Sequence, residues 1–377
     1  MKLDLNNIIK YYLNLRGWKT DKKIIVFESD DWGSIRMPNR EAYLKLSKTN
    51  ERIAGDPYCK MDAIAQRKDL EYLFETLLKF KDSHGNHPII TANTIVANPD
   101  FEKIRNADFT AYFYETFDKT IKKLKEGEEI LKLWGQGMEE GIFKPQLHGR
   151  EHLNVSLWLE ELKSGNKHLL AAFKENCYGV PYDKLLNNNR QSLMAALDYA
   201  GTPNEFDFKK EYVEDSARIF KNYFGYESLS FIAPAYIWHP EIEKTLKSVG
   251  VDIIQGLSVQ YIPNYSSEKY NRKLHYTGQK NELDQCYVTR NAFFEPSSND
   301  NIDWVDSALK KIDSSFKNKQ PAIIGVHRIN FIGSLIEENR NRNLKQFELL
   351  IRSILKNWED VEFLSTDQLG ELIINRH

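Results

Sequence analysis

The chain has 377 residues, 41% of them hydrophobic and 12% aromatic, enough to bury one large core or two modest ones and too apolar for a disordered polymer. Its 52 Lys and Arg against 54 Asp and Glu leave the net charge near zero, and no basic stretch offers the footprint of a nucleic-acid binder, so DNA and RNA are not expected partners. Three cysteines, Cys59, Cys177 and Cys286, stand far apart and outside any CxxC pairing, which excludes a disulfide framework or a zinc ribbon and reads as reduced thiols.

In chain order, the N-terminal MKLDLNNIIKYYLNLRGWK breaks each apolar run with a polar residue, so it carries neither a signal-peptide core nor a spanning segment; a cytoplasmic location without a membrane span is expected. The first strand is predicted at KKIIVFES (22–29), running into Asp30 and Asp31. Further strands are predicted at HPIITANTIV (87–96), FKPQLH (143–148), SLSFIAP (228–234), VDIIQG (251–256), CYVTRNAFF (286–294), PAIIGVHRI (321–329) and VEFLS (361–365). Several are apolar on both faces, as in a parallel sheet covered by helices.

Strands alternating with helices predict an α/β fold, and seven or eight such units favour a distorted or incomplete (β/α) barrel over an open doubly wound sheet. No glycine-rich phosphate loop follows any of them, which argues against a nucleotide-binding Rossmann domain. The long, polar and mainly helical stretches 33–86 and 156–226 read as insertions into the βα loops of one domain spanning 1–377, with a loop at LNNNR (186–190). In barrels such loops build the substrate cleft. The apolar periodicity of NLKQFELLIRSILKNW (343–358) predicts an outer covering helix.

Asp30 and Asp31 alone read as a solvated turn or a helix cap. The segment QLHGREHLN then places His148 and His152 four residues apart, one above the other if the segment is helical. His327 ends a strand too apolar to be exposed. Polar groups from three strand ends would thus meet on one rim of the barrel. Two histidines and one carboxylate leave open positions for water and substrate and suit Zn²⁺ or a related divalent ion. The other carboxylate and the third histidine are then available as general base and general acid.

These residues resemble the polysaccharide deacetylases, carbohydrate esterases with a NodB-like domain in the glycoside hydrolase/deacetylase superfamily. Glu28-Ser29-Asp30-Asp31-Trp32 stands where that family has TFDDG, and His148-Gly149-Arg150-Glu151-His152 is similar to its H(S/T)xxH. Ile232-Ala233-Pro234-Ala235-Tyr236 is similar to its RxPY, Asp300-Asn301-Ile302-Asp303-Trp304 to its DxxDW, and Gly325-Val326-His327 to its LxH. The resemblance implies that Asp31, His148 and His152 hold the metal, that Asp30 is the base and His327 the acid, and that the Ala235 N–H serves an oxyanion. Activity would be removal of acetyl groups from an N- or O-acetylated saccharide, with a bell-shaped rate against pH.

Ile232 departs from the family pattern, because an arginine there pairs with the base. The pKa of Asp30 should therefore sit higher than in the family, unless Arg290 or Arg150 reaches it from another strand. Asp300, Asp303 and Trp304 can equally cap the helix that follows. Trp32, Trp238, Tyr236 and Trp304 offer aromatic faces for a sugar, Arg150 can contact ligand or pair with Glu151, and Arg328 and Asn330 can reach the cleft mouth. Two other readings stand beside the deacetylase. One is a glycoside hydrolase with Asp30 as nucleophile and Glu295 as the second carboxyl group; the other is a carbohydrate-binding protein that keeps the metal shell without turnover. A cytoplasmic enzyme would act on a nucleotide- or lipid-linked saccharide more readily than on an extracellular polymer.

Overall fold

A computed structural model describes residues 12–13, 15–186, 189–199, 201–264 and 270–375. Its main sheet contains nine strands: β1 Lys23–Trp32, β2 Ile90–Thr94, β3 Phe143–Leu147, β4 Ser230–Ile232, β5 Ile253–Gly256, β6 Cys286–Thr289, β7 Ala292–Phe293, β8 Ala322–His327 and β9 Val361–Phe363. Each lies inside a stretch predicted as strand, apart from the last residues of β1. Their order is β6-β5-β4-β3-β2-β1-β8-β7, with β9 also on β1, and every pairing is parallel.

The two ends of this order are one stretch of chain. Only Arg290 and Asn291 separate β6 from β7; the Arg290 N–H donates to Gly256 O of β5 at 2.9 Å and the Asn291 N–H to Ile323 O of β8 at 3.1 Å. The run from β6 to β7 therefore pairs with β5 at its start and β8 at its end, and brings the sheet round on itself as a distorted barrel.

Alternation along β1 sorts the side chains. Ile24 and Val26 pack with Ile253, Val288 and Ile323 and with Leu369 and Ile373 of the helix Thr366–Ile374, a small apolar floor inside the barrel. Ile25 and Phe27 face the other way, into the main core shared with the outer helices. The predicted covering helix runs Glu337–Asn357, and its Phe347 meets Phe27 edge-on at 5.2 Å, an arrangement worth about 0.5–1.5 kcal/mol beyond area burial. Above the apolar floor, Glu28 and Asp30 continue the inward face of β1 as buried carboxylates. The barrel is thus apolar at one end and charged at the other.

The stretches 33–86 and 156–226 are mainly helical. The first holds the helices Arg40–Ser47, Glu51–Gly55, Pro57–Met61 and Arg67–Leu78. The second holds Val155–Lys163, Lys167–Lys174 and Pro203–Phe224, together with a hairpin pairing Asp183–Leu186 with Asn189–Ser192, which takes in residues 186, 189 and 190 of the predicted loop, whose residues 187–188 lie outside the described residues. All three cysteines are free and buried. Among the described residues no helix is long and apolar enough to cross a membrane.

Candidate metal centre

β1 ends irregularly. Its pairing with β2 slips between Ser29 and Trp32, and Asp31 takes a left-handed φ of 76°. Neighbouring side chains on a regular strand face opposite ways. The bulge turns Asp31 so that both carboxylates serve the same rim, a device common beside functional sites, and Asp tolerates the left-handed region better than most residues. The parallel register sets Asp30 beside His327 of β8, and Asp30 Oδ2 lies 3.7 Å from His327 Nε2.

His148 and His152 follow β3 in a loop, so the stacking that a helical segment would give them does not arise. Gly149 adopts φ 106°, outside any helix, and the loop backbone is tied sideways: the Val96 N–H donates to Gly149 O at 3.1 Å and the Ala97 N–H to Arg150 O at 2.7 Å. A Cβ on Gly149 would fall 2.0 Å from the Tyr212 hydroxyl, so only glycine fits where the family pattern has Ser or Thr. The two imidazoles lie 5.1 Å apart, and each turns Nε2 toward Asp31 Oδ1, at 3.8 Å from His148 and 3.6 Å from His152.

The chemistry of these atoms fits a cation. His148 Nδ1 sits 2.8 Å from Ile232 O, which can only accept, so Nδ1 carries the proton and Nε2 presents its lone pair. Burial lowers the His148 pKa and takes His152 down to about 3, so both imidazoles are neutral at pH 7. Burial would raise the Asp31 carboxyl, but Arg36, with Nη2 3.7 Å from Oδ2, acts with His152, His327 and His148 to bring it below its usual range, so the group is ionised. Asp31 Oδ1, buried and facing both lone pairs, has no hydrogen-bond partner. One ligand atom from each of Asp31, His148 and His152 lies within 4.8 Å of the others, and the three could hold one divalent ion.

Arg290 supplies the cation that Ile232 lacks. Its Nη1 and Nη2 donate to Asp30 at 2.8 and 2.6 Å, and its Nε donates to Glu28 at 2.7 Å. Asn93 adds a third bond to Asp30, at 2.7 Å. Burial works to raise Asp30, yet the charge and hydrogen bonds of Arg290, with His148 and His327 nearby, hold the carboxyl well below its usual range, which is the outcome expected if Arg290 reached it. Arg150 does not reach Asp30. It forks onto Glu151 at 2.7 and 3.0 Å, reaches Asp215 at 3.2 Å and lies over the Tyr114 ring, anchoring the loop that carries His148 and His152.

His327 is held by Glu295. Glu295 Oε1 accepts from both the backbone N–H and Nδ1 of His327, at 3.0 and 2.6 Å, while Asn330 donates to Oε2 at 2.7 Å. Burial disfavours the imidazolium, but Glu295 outweighs it and lifts His327 to about 9. Arg328 turns inward from the cleft mouth, forking onto Asp62 at 3.1 and 2.9 Å.

Ala235 and Tyr236 both take φ 58° in the turn Pro234–Tyr236, whose own bonds use the N–H groups of Tyr236 and Ile237. The Tyr236 hydroxyl accepts from Arg290 at 2.9 Å, which puts it at the centre. Trp32 and Trp238 are 1% and 2% exposed and bond Ser29 and Glu243, so both are core residues with no face open to a sugar. Asp303 caps the helix Trp304–Lys317, Asp300 pairs with Arg342 on the surface, and the Trp304 indole donates to Asn299 O, so the capping alternative describes this motif. Sequence reasoning missed Arg36, Tyr58, Asp62 and Asn93. Of these only Asn93 left a signal, a polar amide inside the apolar run of its strand.

Residues 35–256 match the model of glycosyl hydrolase family 57. The chain belongs to glycosyl hydrolase family 57. Family 57 lies within the glycoside hydrolase/deacetylase group expected from the motifs, and the deacetylase family itself is not the one matched. No curated protein matches the sequence. Among solved structures, a Mycobacterium smegmatis protein provisionally described as a polysaccharide deacetylase aligns at 10% identity and TM-score 0.43 over 94% of this chain and 92% of its own. The 4-alpha-glucanotransferase of Thermococcus litoralis aligns at 9% and 0.43 over 95% and 41%. A family 57 branching enzyme from Thermococcus kodakaraensis aligns at 10% and 0.42 over 93% and 71%. Such distant likeness bears on neither substrate nor chemistry.

The part matched to family 57 contains His148 and His152 but neither Asp30 and Asp31 nor His327. Cleavage of a glycosidic bond by a family 57 chain calls for two carboxyl groups flanking that bond. Here the buried carboxylates around the centre are engaged by cations: Glu28 and Asp30 by Arg290, Asp62 by Arg328, Glu151 by Arg150 and Glu295 by His327.

Proposed function

We propose that this family 57 member is a metal-dependent deacetylase, removing an acetyl group from an N- or O-acetylated saccharide. The observation that carries this reading is Asp30, forked by Arg290, 3.7 Å from His327, itself bonded to Glu295, beside the orphaned oxygen of Asp31. Asp31, His148 and His152 would hold the ion, with zinc suited to a donor set of two imidazoles and one carboxylate. A bound divalent ion supplies Lewis acidity and a more acidic water.

The protein's own groups divide the rest of the work. Asp30, fixed by Arg290 and Asn93, takes the proton of the water that attacks the acetyl carbon. The Ala235 N–H faces the oxygen on which negative charge develops. His327, kept protonated by Glu295, gives its proton to the departing sugar nitrogen or oxygen as the bond to the acetyl carbon breaks. Acetate and a free amine or hydroxyl result. Two groups held in opposite protonation states at neutral pH are the arrangement an acid and a base require.

Glycosidic-bond cleavage is the second reading, favoured by the family match. It would use Asp30 as nucleophile and would require Glu295 to leave His327 and Asn330. Purified protein incubated with acetylated oligosaccharides separates the two: acetate release without new reducing ends supports the deacetylase, and reducing ends without acetate support the glycosidase. Elemental analysis of wild type beside His148→Ala tests the metal, and equal, negligible metal in both would sink the deacetylase.

A further inference from the structure

A cavity of about 210 Å³ lies between the two long insertions, lined by Arg36, Arg52, Tyr58, Tyr182, Ser192 and Met194 among others. Two of its walls are one side chain from the chemistry. Arg36 reaches Asp31 on one side, and the Tyr58 ring meets the His327 ring edge-on at 5.6 Å on the other. The Arg36 guanidinium also lies over the Tyr58 ring at 4.8 Å, so the two form a single wall.

Arg36 retains donor capacity there. It is 7% exposed, its approaches to Asp31 and Asp62 are 3.7 and 3.6 Å, beyond hydrogen-bond length, and because its Nε is sealed against Asp62 the donors it can offer the cavity are its terminal nitrogens. Asp62 is already taken by Arg328. The rim is held by a separate pair, Arg52 Nη2 on Asp183 at 3.3 Å, which joins the first insertion to the second. An aromatic face, a guanidinium donor and a charged rim are the features of a sugar site.

The size limits what fits. Drug-sized ligands occupy roughly 300–1,000 Å³, so this cavity has room for about one pyranose ring. We propose that it is the subsite for a single acetylated hexose residue, with Tyr58 as platform and Arg36 as donor to a ring oxygen or hydroxyl, so that the enzyme takes a monosaccharide unit or a chain end. The assignment of an acetylated sugar rests on the deacetylase reading, whereas the one-ring size rests on the cavity.

The test uses the full chain with zinc and calorimetric titration of N-acetylglucosamine and its β-1,4-linked dimer and tetramer. Wild type is expected to bind all three within about threefold, because added rings find no walls. Tyr58→Ala and Ser192→Trp should each weaken binding about tenfold or more, with unchanged thermal unfolding and with Tyr58→Phe close to wild type. Met194→Trp repeats the block from another wall position should Ser192→Trp disturb folding. Affinity that climbs about tenfold per added ring, variants that bind like wild type, or a wild type that binds none of the three would each overturn the subsite. Binding that responds to the variants while no acetate is released would leave the subsite standing and remove the deacetylase.

Discussion

Arg290 grips Asp30 through two nitrogens while its third reaches Glu28, so one guanidinium compensates two carboxylates inside the barrel. Replacing it with alanine strands the Asp30 charge and takes a donor from Glu28, whose carboxyl burial already raises, in a buried site where breaking such a pair costs about 3–5 kcal/mol. Arg290→Ala should therefore lower stability by that order and raise the Asp30 pKa. Arg290→Lys keeps the charge but loses the fork, so it should recover part of the stability and less of the activity. Denaturant unfolding and acetate release on both variants measure the two effects, and an Arg290→Ala protein with wild-type stability would refute the compensation.

Glu295 controls when His327 carries its proton. With Glu295 in place the imidazole titrates near 9, and Asp30 is held below the carboxylate range, so the expected bell should widen: level across neutral pH, with its alkaline limb near 9 and its acid limb displaced below the usual carboxylate range. The sign for stability agrees. His327 is raised above its unfolded value of about 6.5, so its contribution is complete below that pH and is lost as pH rises through 9. Glu295→Gln should move the alkaline limb toward neutral pH and flatten the stability loss above it. A limb that stays near 9 in Glu295→Gln would show that another group donates the proton.

The strands and the rim of the barrel were legible in the sequence because apolar runs and strand-end polar residues are local patterns. Asp30, Asp31, His148, His152 and His327 could be gathered from where they stand relative to those runs. The tuning groups were less visible, since they arrive from elsewhere in the chain. Arg290 was one of two candidate cations, and only the passage of the chain from β6 to β7 brings it under Asp30. Glu295 carries no mark distinguishing a partner of His327 from an acid of its own. Arg36 and Tyr58 lie in an insertion whose path no periodicity predicts. Asp303 shows the reverse difficulty, because a helix cap and a family motif are spelled alike.

Gly149 follows His148 at φ 106°, where a side chain is strained, and a Cβ would meet the Tyr212 hydroxyl, which itself donates to Glu151 O at 2.8 Å. Gly149→Ala should cost about 1–3 kcal/mol from backbone strain alone and turn the His148 and His152 lone pairs off a common point. Loss of such orienting structure lowers metal affinity by about 10- to 100-fold. Tyr212→Phe removes the clashing oxygen but leaves ring carbons Cζ and Cε1 at 2.9 and 3.2 Å from that Cβ, so in that background the steric part of the penalty should shrink while the backbone part remains. Thermal unfolding and zinc content of the two single variants and the double variant separate these contributions. A Gly149→Ala protein that unfolds and binds zinc like wild type would mean that the loop can hold both histidines without the left-handed turn.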